Sequence, residues 1–572
     1  MFIEEKSALH SSPWVLSLRF LCKIPIIAVV VAIGSGAARA ETTGGTCSVR
    51  AFGAAGDGQK LDTSIINAAI QACHSRGGGT VVFDAGTYRT GTIRLLDNIT
   101  LKLEPGSTIL GSSDLRDYPR IEKASEERDT ALLLAENVHN VAIIGEGTID
   151  GNGRSFTDAA HAHFEPFFDP IQTRQGEALV ARMREAREGP VRMLPRPGVL
   201  FLALHVDGLL LRDFHVVDSP NWSIHIGCSD HIFVSALDIR NSLLVPNSDG
   251  LDISTSRNAT VSDSYIEAGD DALVIGGPCA DGWCQEPAEN ITVSNVTLRS
   301  RSAAIRIGPA AKDVRNLAFQ NVIIRDSNRG IGIQARSSEI IENLLFSNVS
   351  IETRLIDGPW WGAGEPITIS VAIWDYGSWK APVTLGEVRH VRFSNVIANS
   401  ESPVILYSTE PGRIADIGFR DLTLTMKAGP LTALFGGNID LQPTDPRSLG
   451  LTRHDLPAVF AHNVSDLFFT GIQVHWDGNF PAFYQHAIQA DGFKGLVLDG
   501  FQGEASSPSF ASICLRNGKG ATIRNALSTS GRLVDAQGVI GLDQGSNQSH
   551  PHWRLHRELF FDQKYEKDVY PR

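Results

Sequence analysis

A chain of 572 residues exceeds the roughly 100–200 residues of one ordinary domain, so length alone predicts two to four domains. The composition is 42% hydrophobic and 20% charged with a mean hydropathy of −0.05, which excludes a membrane-embedded bundle, a disordered chain and a collagen-like fibre. A net charge of −13 argues against a general nucleic-acid binder, and 54 Gly against 4 Met point to turn-rich β structure.

The first 40 residues read as a targeting segment. Arg19 and Lys23 precede an apolar run from Ile24 to Ile33, and Ala38-Arg39-Ala40 forms an A-x-A cleavage site, so the mature chain is expected to start at Glu41. Ten apolar residues are too few to span a bilayer, which needs about 20. Loss of this segment takes the net charge from −13 to −15, and the expected location is secreted or periplasmic. In such an oxidising compartment Cys279 with Cys284, and Cys47 with Cys73, are candidate disulfide pairs.

From about residue 46 onward the chain repeats. Units such as Ile291-Thr-Val-Ser-Asn-Val296, Leu317-Ala-Phe-Gln-Asn-Val322 and Val391-Arg-Phe-Ser-Asn-Val396 share an apolar-x-apolar-polar-Asn-apolar pattern. The third position falls at Leu211, Val234, Val261, Val293, Phe319, Phe346, Phe393, Phe419, Phe469, Leu498 and Ile523. Most steps are 23–32 residues, and two long ones read as a coil plus an insertion. Period-2 alternation, β-branched and aromatic residues and Gly/Asn/Asp/Ser spacers predict strands and turns. A parallel β-helix of about a dozen coils fits this, with equivalent side chains stacked about 4.8 Å apart, so residues 41–572 are expected to form a single domain. Triplets such as Asn290-Ile-Thr and Asn295-Val-Thr match glycosylation acceptors but are read as coil-turn residues.

Three stretches depart from the repeat. Residues 63–76 have helical spacing, with Asp62 as N-cap, and predict a helix capping the apolar core. Residues 152–199 form an insertion with a helix near Gly176–Arg187. Residues 354–385 carry Trp360, Trp361, Trp374 and Trp379, either a small core or a wall on which sugar rings stack. A further insertion is expected at 427–460.

Acid groups concentrate beside Gly in Pro246-Asn-Ser-Asp249-Gly-Leu-Asp252-Ile and in Glu267-Ala-Gly-Asp270-Asp271-Ala. Asp270 and Asp271 follow Asp249 by 21 and 22 residues, close to one coil, which would put all three carboxylates on one face. Crowded like charges raise one another's pKa, so that one carboxyl stays protonated as a general acid while another activates water. Capping of turns by these Asp, or a bound calcium ion, are the alternatives.

At these residues the chain resembles the family 28 glycoside hydrolases, polygalacturonases and their relatives. The resemblance runs from about residue 46 to 425, through Phe52-Gly-Ala-Ala-Gly-Asp57-Gly, Asp62-Thr63, Gly147-Thr-Ile-Asp150-Gly-Asn-Gly153, Arg196-Pro197, Ser219-Pro220-Asn-Trp222-Ser-Ile-His225, Asn247-Ser-Asp249-Gly and Gly269-Asp270-Asp271. It implies a right-handed parallel β-helix and inverting hydrolysis of galacturonan-type bonds in a pectic substrate, with no cofactor and no metal. It also implies that Asp270 is the general acid, that Asp249 and Asp271 position and deprotonate water, and that Asn247 lies in the same cleft.

Two family motifs are missing. Where members carry Gly-His-Gly, this chain has Ser302-Ala303-Ala304, and where they carry Arg-Ile-Lys, which binds a substrate carboxylate, it has Gly332-Ile333-Gln334. Arg306 lies 26 residues before Gly332 and is the expected replacement cation, with Arg329 and Arg336 as weaker candidates. Trp360 and Trp361 are the other expected substrate contacts, on a loop that would close one end of the cleft and favour exo-action or a branched pectic substrate; the protein is expected to be a monomer. A β-helix lyase or epimerase, and a non-catalytic carbohydrate-binding β-helix, are the competing readings.

Overall fold

The computed structural model describes residues 45–549, leaving out 122–128, 163, 165–167, 278–283, 285, 375–383, 445–449, 530 and 546–547. The targeting segment, Cys279 and Trp379 therefore lie outside the described residues. From Thr46 the chain winds into a right-handed parallel β-helix.

Apolar residues at every second strand position face inward and form one continuous core, so each coil must sit in register on the next. One inward ladder runs Cys47–Val81–Leu101–Ile143–Leu211–Val234–Val261–Val293–Phe319–Phe346–Phe393–Phe419–Phe469–Leu498–Ile523–Gln544. Every position from Leu211 to Ile523 is the one the repeat marked. The coils before Leu211 carry corner Asn residues too, Asn140 donating Nδ2 to Asn98 at 3.0 Å, but their steps of 20 to 68 residues hide the period; with them the ladder has sixteen rungs rather than a dozen. Its Phe319, Phe346, Phe393, Phe419 and Phe469 stack face to face with centroids 4.7, 4.7, 4.8 and 5.1 Å apart, which is the spacing between strands.

The repeat's Asn residues are its corners. Asn290, Asn316 and Asn343 have φ of 58–59° and each donates Nδ2 to the Asn of the previous coil, beginning with Asn258, at 3.1–3.2 Å. A second ladder runs Asp263–Asn295–Asn321–Asn348–Asn395 at 2.8–3.1 Å. Asn is suited here because it tolerates the left-handed region and can bond both neighbours.

Helix α1 (Thr63–His74) buries Ile66, Ala69, Ile70 and Cys73 against the first coils, and the Cys47–Cys73 disulfide ties it to strand Thr46–Ser48. Asp62 stands at its N-cap position without capping it. Its carboxylate instead accepts the amides of Ala55 and Gly56 at 2.9 and 3.0 Å, closing the preceding turn. The second disulfide joins Cys228 to Cys284 rather than Cys279 to Cys284, because folding brings the Cα atoms of Cys228 and Cys284 to 5.3 Å. Cys514 is free and buried.

The insertions pack on one another. Helix α2 (Glu177–Arg184), helix α3 (Thr432–Phe435) and the Leu355–Ala363 loop share a second apolar cluster of Phe168, Leu179, Val180, Met183, Leu355, Ala363, Phe435 and Leu451. Glu188 joins this layer to the coils, accepting from Arg301 at 3.2 Å and from Arg354 at 2.6 Å. No helix among the described residues is long and apolar enough to cross a membrane.

Candidate active site

The site is built on one outward face of six stacked strands, Ile224–Gly227, Leu251–Ser254, Leu273–Ile275, Ala303–Ile307, Arg329–Ala335 and Ile367–Val371. Asp249 and Asp271 each precede the first residue of their strand by two positions, and Leu251 pairs with Leu273. The two carboxylates therefore occupy the same place in successive coils, with Asp270 beside them. Gly269 permits this approach: a Cβ there would meet the carbonyls of Val245 and Ser242 at 2.4 and 2.5 Å.

The three carboxylates converge, each offering an oxygen within 4.8 Å of the others. Asp249 and Asp271 are buried and Asp270 is partly open to solvent. Asp270 Oδ2 accepts the amide of Asn247 at 3.2 Å. Asn247 is exposed, has φ 57°, and accepts from Arg196 at 3.1 Å, while Arg196 also donates to the carbonyls of Pro220 and Pro246. Asp271 accepts the Ala303 amide at 2.8 Å through Oδ1 and Arg306 Nε through Oδ2.

Burial, reinforced by the charge of Asp271 and opposed by Arg306, pushes Asp270 up to about 7. Burial, then the charges of Asp270, Asp252 and Asp271, hold Asp249 well above the usual carboxylate range. A carboxyl that titrates near neutrality carries a proton at mildly acid pH and can give it to a leaving oxygen. The same convergence could hold a cation; no metal role is assigned to it, and Asp271 keeps one further acceptor site on each oxygen beside its bonds from Ala303 and Arg306.

Arg306 stands in register with Gly332, as the repeat implied. Its guanidinium is turned to the catalytic cluster rather than to a substrate: Nε donates to Asp271 and Nη1 to the Gly308 carbonyl at 3.0 Å, and 7% of the residue is exposed. The other expected cations are also spent. Arg329 donates to the carbonyls of Gln442 and Asp440 at 3.1 and 3.0 Å, and Arg336 to that of Leu441 at 2.8 Å. Both are fully buried. Gln334 likewise donates to the Gln442 carbonyl at 3.3 Å. Where a substrate carboxylate would be gripped, residues 440–443 of the chain's own insertion lie across the coils.

Trp360 is not a sugar platform. It is 7% exposed, and its indole Nε1 donates to the Glu188 carbonyl at 2.9 Å, which makes it an anchor of the insertion layer. Trp361 remains partly exposed, its carbonyl accepting from Asn328 Nδ2 at 3.2 Å, and Asn328 immediately precedes Arg329 on the catalytic face. Ile121, Leu134, Leu202 and Trp222 pack into a separate buried apolar cluster. Sequence reasoning missed Glu401, which burial beneath the insertions pushes up to about 7 and which accepts the Leu355 amide at 3.3 Å. It lies outside any motif, and only the folding of distant loops onto it gives it that environment.

Residues 196–428 match the family model described as glycosyl hydrolases family 28, and residues 46–161 match one described as rhamnogalacturonase A/epimerase, pectate lyase-like. Together they span the resemblance. Residues 196–428 carry the family 28 match, and over that span the chain is a glycoside hydrolase family 28 relative. Among curated relatives, an exo-poly-alpha-D-galacturonosidase of Dickeya chrysanthemi is 27% identical over 335 residues, covering 53% of this chain and 55% of that protein. The chain thus spans about half the length of that relative. Among solved structures, the family 28 exopolygalacturonase of Yersinia enterocolitica has a TM-score of 0.55 at 16% identity, covering 88% of this chain and 79% of that one. An exopolygalacturonase from Thermotoga maritima has a TM-score of 0.53 at 19% identity, covering 76% and 92%. At these identities the structural likeness speaks to fold alone. Within the matched span the chain departs from the expected motifs at Ala303, Gly332 and Gln334.

Proposed function

We propose that the protein is an exported, monomeric glycoside hydrolase that cleaves galacturonan-type pectic bonds from a chain end. The observation that carries this is the convergence of Asp249, Asp270 and Asp271 within 4.8 Å, in a family 28 chain. Asp270 gives its proton to the glycosidic oxygen as the C–O bond breaks; Asp249 and Asp271 hold a water and take its proton as it attacks the anomeric carbon. No metal or cofactor enters these steps.

Exo-action follows from the insertions. A chain passing straight along the coils would meet residues 440–443, which are fastened by Arg329 and Arg336. Inversion rests on the family resemblance, because the carboxylate spacing is shorter than the roughly 6.5–9.5 Å of most inverting pairs. Export rests on the 1–40 segment and accords with two disulfides.

The test is purified protein on a panel of pectic oligosaccharides and polymers, with Asp270→Asn as control. Expected are new reducing ends without an ultraviolet-absorbing unsaturated product, monosaccharide or short oligomer release from the first minutes, and an inverted anomer in the proton spectrum. Equal product release by wild type and variant would remove Asp270 as the acid; absence of cleavage across the panel would end the pectic assignment. N-terminal sequencing of the exported protein should begin at Glu41.

A further inference from the structure

The three carboxylates of the site have different partners. Asp271 accepts two hydrogen bonds from the next coil, one from the Ala303 amide at 2.8 Å and one from Arg306 Nε. Asp270 accepts the Asn247 amide at 3.2 Å and opens toward solvent. Asp249 is buried with Oδ1 unbonded among the described residues. Arg306 is itself fixed at its far end by the Gly308 carbonyl at 3.0 Å, where Gly308 has φ 74°. A guanidinium bonded at both ends and buried to 7% exposure has little freedom to swing toward a ligand.

We infer that Arg306 is a positioning residue: bonded to Asp271 Oδ2 from the next coil, it fixes that carboxylate in place as the base of the site, so that neighbouring Asp270 is the group left to act as the acid. The inference rests on the acid and base roles proposed above and adds what separates them. Three carboxylates this close resist sharing three negative charges, and a single cation bonded to one of them breaks the tie. The strand that carries the clamp, Ala303–Ile307, is also the one that lacks the family's imidazole, at Ala303. A cation one coil away on the same face has thus been put to a different use: fixing the base rather than gripping the substrate.

The charged and titratable groups facing this cluster are Asp249, Asp252, Asp270 and Asp271 from the two acidic strands' coils, His225 from the preceding coil beside Asp252, and Arg306 from the following one. Arg306 opposes the upward shift of both Asp249 and Asp270, so its removal must move both limbs of a pH profile in the alkaline direction.

The experiment compares wild type, Arg306→Gln and Arg306→Lys. For Arg306→Gln, kcat is expected to fall about 100-fold or more, with both limbs of the kcat/KM profile displaced upward by about one pH unit. Arg306→Lys, which keeps the charge and loses the fork, should hold the limbs near their wild-type positions and recover about tenfold of the loss. Loss of activity with unmoved limbs would reduce Arg306 to a structural role. A loss confined to KM that grows with the uronate content of the substrate would make it a substrate ligand. Either result overturns the inference.

A second arm needs no activity. A carboxyl raised in the folded state costs stability progressively as pH rises from its unfolded value through its folded one, so the thermal midpoint of Arg306→Gln should fall more steeply than that of wild type between about pH 4 and 9. Parallel curves would also overturn the clamp. Divergent curves for a protein inactive on every pectic substrate would uphold the clamp and defeat the functional reading instead.

Discussion

Asp270→Asn should make this protein inactive and, above neutral pH, more stable. Asp270 is pushed up to about 7 from an ordinary 3.8, chiefly by burial and then by Asp271. Each unit of separation between folded and unfolded values is worth about 1.4 kcal/mol, so ionising this carboxyl in the folded state costs at most about 4 kcal/mol. The cluster shares the cost and Asp270 is partly open to solvent, so about 2–4 kcal/mol is the expected range. The sign is that of a carboxyl whose folded pKa is raised: nothing is lost below about pH 4, and stability drains away as pH rises toward 7. Asparagine cannot ionise. The variant should match wild type at about pH 4 and gain a few degrees in thermal midpoint at about pH 8, on the order of 2–4 °C for a chain of this size. Calorimetry at a series of pH values is the assay. Parallel reducing-end assays at about pH 5 should show a loss of about 10²–10⁴-fold, and the wild-type alkaline limb should fall near pH 7. A gain independent of pH, or no gain, would refute the claim that Asp270 is a strained, protonated acid.

Other substitutions separate the roles given to neighbouring residues. Trp360→Ala should lower stability by about 3–5 kcal/mol by emptying the insertion layer, read as a fall in thermal midpoint, whereas Trp361→Ala should leave the midpoint close to wild type and raise KM. Phe393→Ala, in the middle of the ring stack, should cost about 3–5 kcal/mol in a denaturant titration. Replacing Cys47, and so opening the Cys47–Cys73 bridge across 26 residues, should cost about 3–4 kcal/mol by relaxing the unfolded chain and leave the pH–activity profile in place.

Legibility followed the repeat. Once a strand pattern recurs every 23–32 residues, stacking turns distance along the chain into position on a face. That is why Asp249 and Asp271, 22 residues apart, could be placed side by side and why Arg306 could be set in register with Gly332. Register says which residues are neighbours and not where a long side chain points. Arg306 was therefore placed in the right register, while its bond to Asp271 emerges only from the folded side chain. Asp62 shows the same limit on a smaller scale: its position at the start of α1 was legible, while its bonds to Ala55 and Gly56 depended on how the preceding turn folds back.

The insertions have no such frame. Contacts such as Arg174 to the His454 carbonyl, 280 residues apart, or Arg329 to Gln442, follow no period, so nothing in the chain's order announces that three loops meet. The sequence by itself determined the β-helix, its coil corners and the gathering of three carboxylates on one face, because those depend on local patterning repeated in register. Only the tertiary structure decided that Trp360 is an anchor, that Arg329 and Arg336 are buried under residues 440–443, and that this insertion lies across the catalytic face, because these depend on packing between segments that share no repeat.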